Sequence, residues 1–137
     1  MTNIPYARRM PMQLAVGAVV LKNNAVLLVQ RGRPPQAGSW SLPGGKVGKG
    51  EPLAEAIVRE VLEETSLSVA AVRVVEVVVL SAEGVTYEIH EFLCSLVGSG
   101  EARAGDDARS VCWCREDDLT TLGVSSEVQR VIRLARA

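Results

Sequence analysis

Aromatic residues make up only 4% of the chain, histidine occurs once, cysteine three times, and neither sign of charge dominates. With few aromatics, a hydrophobic share of 47% drawn mainly from Val, Ala and Leu favours strands with a few helices packed against them. Three cysteines are too few for a disulfide framework. Cys112-Trp113-Cys114 is a Cys-x-Cys with no neighbouring histidine, so it lacks the spacing of a zinc site. On an alternating strand Cys112 and Cys114 share one face and Trp113 takes the other; with Cys94 they are expected as small packing residues. The 15 basic and 16 acidic residues leave a formal net charge of -1. That balance argues against a dedicated nucleic-acid surface, while leaving room for a local basic pocket that holds phosphates. Apolar runs such as Val77 to Leu80 fall far short of a membrane span, and Met1 to Arg9 lacks the apolar core of a secretory signal. A cytoplasmic protein with neither a nucleic-acid nor a membrane partner is expected.

What remains is material for one compact domain, residues 1–137. Gln13 to Leu21 reads as a strand and Ala25 to Arg31 as its hairpin partner across Lys22-Asn23-Asn24, since asparagine tolerates positive φ. Gly32 to Gly50 is rich in Gly and Pro, yet Trp40, Leu42 and Val47 interrupt it, which marks an ordered connection and not a linker. The clearest helix runs from about Pro52 to Thr65, with the proline in its first turn, where a missing N–H costs nothing. Two long strands follow, Val69 to Leu80 and Tyr87 to Val97, joined by a turn around Ala82-Glu83-Gly84. Gly98 to Asp107 reads as a polar loop, Ser110 to Arg115 as a short strand, and Ser126 to Ala137 as a second helix opened by a capping box of Ser126 with Gln129. This order gives an α/β arrangement in which a mixed sheet is covered by helices.

The chemistry is concentrated on the first helix and the loop before it. At about 100° per residue, Ala54, Ile57, Val58, Val61 and Leu62 gather on one side, and Glu60, Glu63 and Glu64 within an arc of roughly 100° on the other. Arg59 borders that arc. Carboxylates so close repel one another, those at i,i+4 by a few tenths of a kcal/mol. A hard divalent cation relieves that repulsion, because Mg2+ takes oxygen ligands and shares its shell with substrate phosphates. A solvated acidic helix face is the competing reading. Leu42-Pro43-Gly44-Gly45 weighs against it, since glycines just ahead of the helix let a backbone carbonyl approach a metal unhindered.

Gly45, Glu51, Arg59, Glu60, Val61, Glu63, Glu64 and Leu67 fall in one register over the 23 positions from 45 to 67. This segment resembles the Nudix box, whose pattern is G, five residues, E, seven residues, then R-E-U-x-E-E-x-G-U with U a bulky aliphatic. The flanks Gln30-Arg31 and Gly38-Ser39-Trp40-Ser41-Leu42-Pro43-Gly44-Gly45 are similar to the same family. The resemblance implies the Nudix α/β/α sandwich, with a mixed sheet between helices. One position departs from the pattern: Ser66 stands where the box has glycine. That residue ends the helix in a left-handed conformation, and a serine there costs about 1 kcal/mol if the backbone is kept.

The resemblance also implies roles. Glu60, Glu63 and Glu64 are the expected Mg2+ ligands, with the Gly44 carbonyl as an additional one and Mn2+ as a substitute ion. Arg59 is expected to orient the cluster by salt bridging, and Glu51 to be structural. The implied reaction is attack of a metal-activated water on phosphorus. The family often places its base on a loop before a late strand. Here Gly105-Asp106-Asp107-Ala108 precedes Trp113, so Asp107 is the first candidate, Asp106 the second and Glu101 the third; a solvated turn is the alternative. Lys46 and Lys49 are candidates for phosphate contacts, or ordinary exposed lysines. His90 lines the substrate cleft or is structural. Trp40, Tyr87 and Phe92 stack on a base or, more simply, pack the core.

The substrate implied is a small nucleoside diphosphate derivative, since the Gly-Asp-Asp-Ala turn and the late Trp113 strand look like the ADP-ribose pyrophosphatase-like branch, beside the MutT-like branch. No proline follows the box, which some ADP-ribose hydrolases carry, so a house-cleaning (deoxy)nucleoside triphosphate pyrophosphohydrolase is the alternative. A third reading is a nucleotide-sensing module without turnover, against which all the box carboxylates are kept. The resemblance is also compatible with a homodimer.

Overall fold

A hairpin that opens into two ladders organises the molecule. The computed structural model describes residues 12–33, 36–105 and 107–137. The N-terminal stretch read above for a signal, and Asp106, lie outside the described residues. Strands β1 (Met12–Lys22) and β2 (Ala25–Arg31) meet at a tight turn where Asn23 takes φ 58°, the left-handed conformation expected of it. The two strands pair only at Leu21↔Val26 and Lys22↔Ala25 and then part company. β1 continues in parallel with β6 (Val85–Leu96), from Met12↔Thr86 to Val20↔Cys94. On its other edge β1 holds the short β4 (Gly44–Lys46). β2 is flanked by β3 (Trp40–Ser41) and by β7 (Ala108–Arg115), both antiparallel. β5 (Val69–Ala82) forms a long hairpin with β6 through Glu83-Gly84, both at positive φ, and closes the path β3-β2-β1-β6-β5. The sheet is therefore mixed, as expected. β3 and β4 lie inside the Gly/Pro-rich connection and are too short for any alternation to announce them.

Helices cover both faces, α1 (Leu53–Thr65) on one and α2 (Ser126–Arg136) on the other. Strand alternation divides the core between them. Val16, Ala18, Val20 and Leu27 pack with Ala56, Ile57 and Val61 of α1. Val19, Val26 and Leu28 pack with Val131, Ile132 and Ala135 of α2. The run Val16–Val20 is buried at every residue because the central strand has no solvent face. Cys112 and Cys114 lie on the α2 side with Trp113 on the other, and Cys94, Cys112 and Cys114 are free. No helix among the described residues is long and apolar enough to cross a membrane.

Three local expectations are corrected. Pro52 caps α1 from outside, with ψ 143°, instead of occupying its first turn. The cap of α2 is Ser125, whose Oγ accepts from the Val128 amide at 3.2 Å, so the box expected at Ser126 and Gln129 is replaced by a simple serine cap one residue earlier. Of the two adjacent serines only Ser125 is extended, and the Gln129 amide of the side chain donates instead to the Val124 carbonyl at 2.9 Å. The third correction is the facing of α1. Ala54 and Leu62 are exposed, Leu62 by 50%, whereas Glu60 and Glu64 are half-buried. The buried stripe is Ala56, Ile57, Val61 and Thr65, and about 100° per residue places Glu64 within it, beside Ile57. Two of the carboxylates thus turn into the protein.

Candidate active site

Arg59 is the hub of the acidic helix. Its Nε donates to Glu51 Oε2 at 2.8 Å and its Nη2 to Glu51 Oε1 at 2.9 Å, a two-point pair. Nη1 donates to Glu60 Oε2 at 2.9 Å and Glu63 Oε1 at 3.1 Å, and Nη2 also reaches the Lys46 carbonyl at 3.2 Å. Glu51 additionally accepts from the Gly48 amide at 2.8 Å. These bonds hold the Glu51 carboxyl at about 2, with the Arg59 contact as the larger cause and the Gly48 amide next. They also raise Arg59 above the ordinary arginine value.

Burial acts in the opposite direction on the inward-turned acids. It pushes Glu60 up, outweighing the Arg59 contact. It pushes Glu64 up to about 7, with Glu60 and Asp107 adding repulsion and the Gly44 amide opposing. That amide donates to Glu64 Oε1 at 2.9 Å, tying β4 to the end of α1. Gly45 lies close against Glu60: a Cβ on it would lie 2.5 Å from the Glu60 carboxyl carbon, and that side chain would have to shift. At the helix end Ser66 keeps the left-handed backbone, φ 66°, with its amide bonded to the Leu62 carbonyl at 3.0 Å.

Glu60 and Glu64 border a cleft of about 550 Å³, which Gly44, Gly45 and Lys46 of β4 also line. β2 and the residues after it contribute Gln30, Arg31 and Arg33, and Asp107 and Ala108 come from the entry to β7. The arrangement brings carboxylates, cations and exposed backbone together in one concave space, which suits a substrate that is itself anionic and comes with a cation.

The box register is therefore a three-dimensional unit, and a family model described as NUDIX domain matches residues 11–134. The chain belongs to the Nudix family. It is a hydrolase acting on phosphoanhydride bonds. A putative 8-oxo-dGTP diphosphatase 2 of Mycobacterium tuberculosis is 40% identical over 114 residues, which cover 78% of this chain and 76% of that protein. The ADP-ribose pyrophosphatase of Methanocaldococcus jannaschii is 36% identical over 118 residues, covering 83% of this chain and 68% of that protein. The crystal structure of a MutT NUDIX hydrolase from Burkholderia pseudomallei superposes with a TM-score of 0.76 at 29% identity, over 90% of this chain and 97% of that one.

Within this Nudix domain the residues singled out from the sequence divide. Gly44, Glu60, Glu64 and Asp107 line one cleft, and Lys46 joins them. Glu63 stands apart, drawn to Arg59. Among the described residues no three His, Cys, Asp or Glu side chains are gathered as a metal site; Arg59 Nη1 bonds both Glu60 and Glu63. Lys49, His90, Trp40, Tyr87 and Phe92 are not among the residues lining the cleft. His90 Nε2 instead meets Glu88 Oε2 at 2.8 Å. The side chain of Glu101 is 85% exposed, with Arg103 at 3.9 Å. Arg33 also lines the cleft, and nothing in the sequence marks it, because a lone arginine in a Gly/Pro-rich stretch carries no periodic or spacing signal.

Proposed function

We propose that the chain is a Mg2+-dependent hydrolase that cleaves the diphosphate linkage of a nucleoside diphosphate derivative of the ADP-ribose kind. One observation carries the reading: two half-buried carboxylates, Glu60 and Glu64, share a cleft with Arg31, Arg33 and Lys46. The donor set fits a hard divalent cation. It is made of oxygens, and burying anionic carboxylates is costly until positive charge joins them. Glu60, Glu63 and Glu64, with the Gly44 carbonyl, would hold the ion. When bound, it supplies charge for the phosphate oxygens and lowers the pKa of a water.

The other residues have roles that follow from their contacts. Arg59 aims Glu60 and Glu63 while bracing itself on Glu51. The Gly44 amide orients Glu64. Asp107 lies at the cleft with a side chain 62% exposed, suited to take the proton from the attacking water. The cations lining the cleft receive the substrate phosphates.

A second reading, a (deoxy)nucleoside triphosphate pyrophosphohydrolase, is favoured by the relative named as a putative 8-oxo-dGTP diphosphatase. One screen with Mg2+ separates them: ADP-ribose, 8-oxo-dGTP, the ordinary nucleoside triphosphates, NADH and sugar nucleotides. Preferred turnover of ADP-ribose supports the first reading and preferred turnover of triphosphates the second. No turnover of any of them rejects both.

A further inference from the structure

A diphosphate carries its negative charges into a cleft that already holds Glu60, Glu64 and Asp107. Cations must therefore meet it, and the nearby ones differ in how committed they are. Arg59 is saturated by Glu51, Glu60, Glu63 and the Lys46 carbonyl. Arg33 is different. Its Nε sits 3.1 Å from Asp107 Oδ1, and the two side chains are 74% and 62% exposed. An ion pair so open to water is held weakly and exchanges readily. A guanidinium meets a phosphate through two parallel hydrogen bonds, which is the stronger contact.

The backbone keeps both side chains at the same rim of the cleft. The Gly32 amide donates to the Asp107 carbonyl at 2.9 Å, and Arg31 pairs with Ala108 across β2 and β7. A change of partner thus needs side-chain rotation only.

We propose that Arg33 is a substrate-binding residue: Asp107 holds its guanidinium at the cleft until a substrate phosphate takes it over. The same exchange leaves the Asp107 carboxylate without its cation, open to accept a proton from water. The proposal rests on the diphosphate-hydrolase reading, and it assigns a specific partner change to two residues of this chain.

The test is calorimetric titration of ADP into metal-free protein, in chelator, at low and moderate salt. ADP carries the diphosphate common to the candidate substrates, and without metal the binding is read apart from turnover. Arg33→Gln should weaken binding about tenfold and flatten its salt dependence. Asp107→Asn, by removing the competitor, should tighten binding about two- to fivefold. The double variant should follow Arg33→Gln alone, the non-additivity expected of residues that compete for one contact. A merely structural surface pair would leave both single variants with wild-type affinity, and that result overturns the proposal. So does weakening of similar size in both variants. Turnover is read separately: wild-type protein that hydrolyses no diphosphate substrate with Mg2+ rejects the functional reading, while the Arg33 assignment stands or falls on the ADP titration.

Discussion

Arg59 and Glu51 close a two-point ion pair over eight residues, Nε to Oε2 at 2.8 Å and Nη2 to Oε1 at 2.9 Å. The pair fastens the loop before α1 to the middle of the helix, and the same guanidinium then reaches Glu60 and Glu63. An arginine placed among acids by sequence register thus becomes the strut on which the acidic face is built. The carboxyl of Glu51 is held at about 2, below its ordinary 4.5. Its stabilisation is therefore complete above 4.5 and fades as pH falls toward 2. Thermal unfolding of wild-type protein and Glu51→Gln should show the variant melting lower at pH 6, with the gap closing between pH 5 and 2. A gap of constant size would remove the pair from the stability of the domain.

Glu64 accepts from the Gly44 amide, a contact that a glutamine oxygen can keep. Glu64→Gln should therefore fold as wild type, since only the charge is lost. With Mg2+ and the preferred substrate from the screen, its kcat should fall at least about a hundredfold. Chelating the metal from wild-type protein should lower turnover to the same degree, and adding Mg2+ back should restore it. Retention of wild-type kcat in the variant would take Glu64 out of the chemistry.

Glu91 sits on β6 opposite Gly17 of β1, 8% exposed, with no hydrogen-bond partner for its Oε1. Burial pushes it up to about 7, with repulsion from Glu127 and Glu76 adding to the effect. The folded protein therefore holds this proton where the unfolded chain has released it. Stability from this group is full below about 4.5 and is lost as pH rises through 7. Glu91→Gln removes the titration. Denaturant unfolding should show the variant gaining on wild type between pH 5 and 8, by at most about 3 kcal/mol. A difference independent of pH would mean that Glu91 is ionised or solvated throughout.

Ser66 holds φ 66° at the end of α1, a backbone that a Cβ disfavours. Ser66→Gly should raise the stability of the domain by about 0.5 kcal/mol, since relief of the left-handed cost is partly offset by the freer unfolded chain. Turnover should not change, because the serine hydroxyl makes only a marginal 3.5 Å contact to the Arg103 carbonyl. A destabilised variant would show that this contact outweighs the backbone strain.

Much of this was legible in the sequence, for local reasons. The turns at Asn23 and Gly84 follow from residues that accept positive φ, whereas Glu83 takes φ 52° without such a preference. The alternation on β7 sends Cys112 and Cys114 one way and Trp113 the other. The register from Gly45 to Leu67 names the family because its spacing reflects one helix, one loop and the contacts between them. Less legible was the direction in which that helix faces. Ala54 and Leu62 look like core residues by composition, yet they are exposed, and Glu64 shares the side of Ile57. Apolar character sets where a helix prefers to pack, but the sheet and the loop already in place decide which arc is covered.

The sequence by itself determined the five long strands, both helices and the family, because each depends on residues near one another along the chain. Only the tertiary structure decided how the acids are used. The Gly44 amide holds Glu64 on the cleft while Arg59 bonds Glu60 and Glu63, and pairing of β2 with β7 brings Arg33 to Asp107 across more than seventy residues. Such meetings depend on which strands pair, and strand pairing is a property of the whole sheet and not of any one segment.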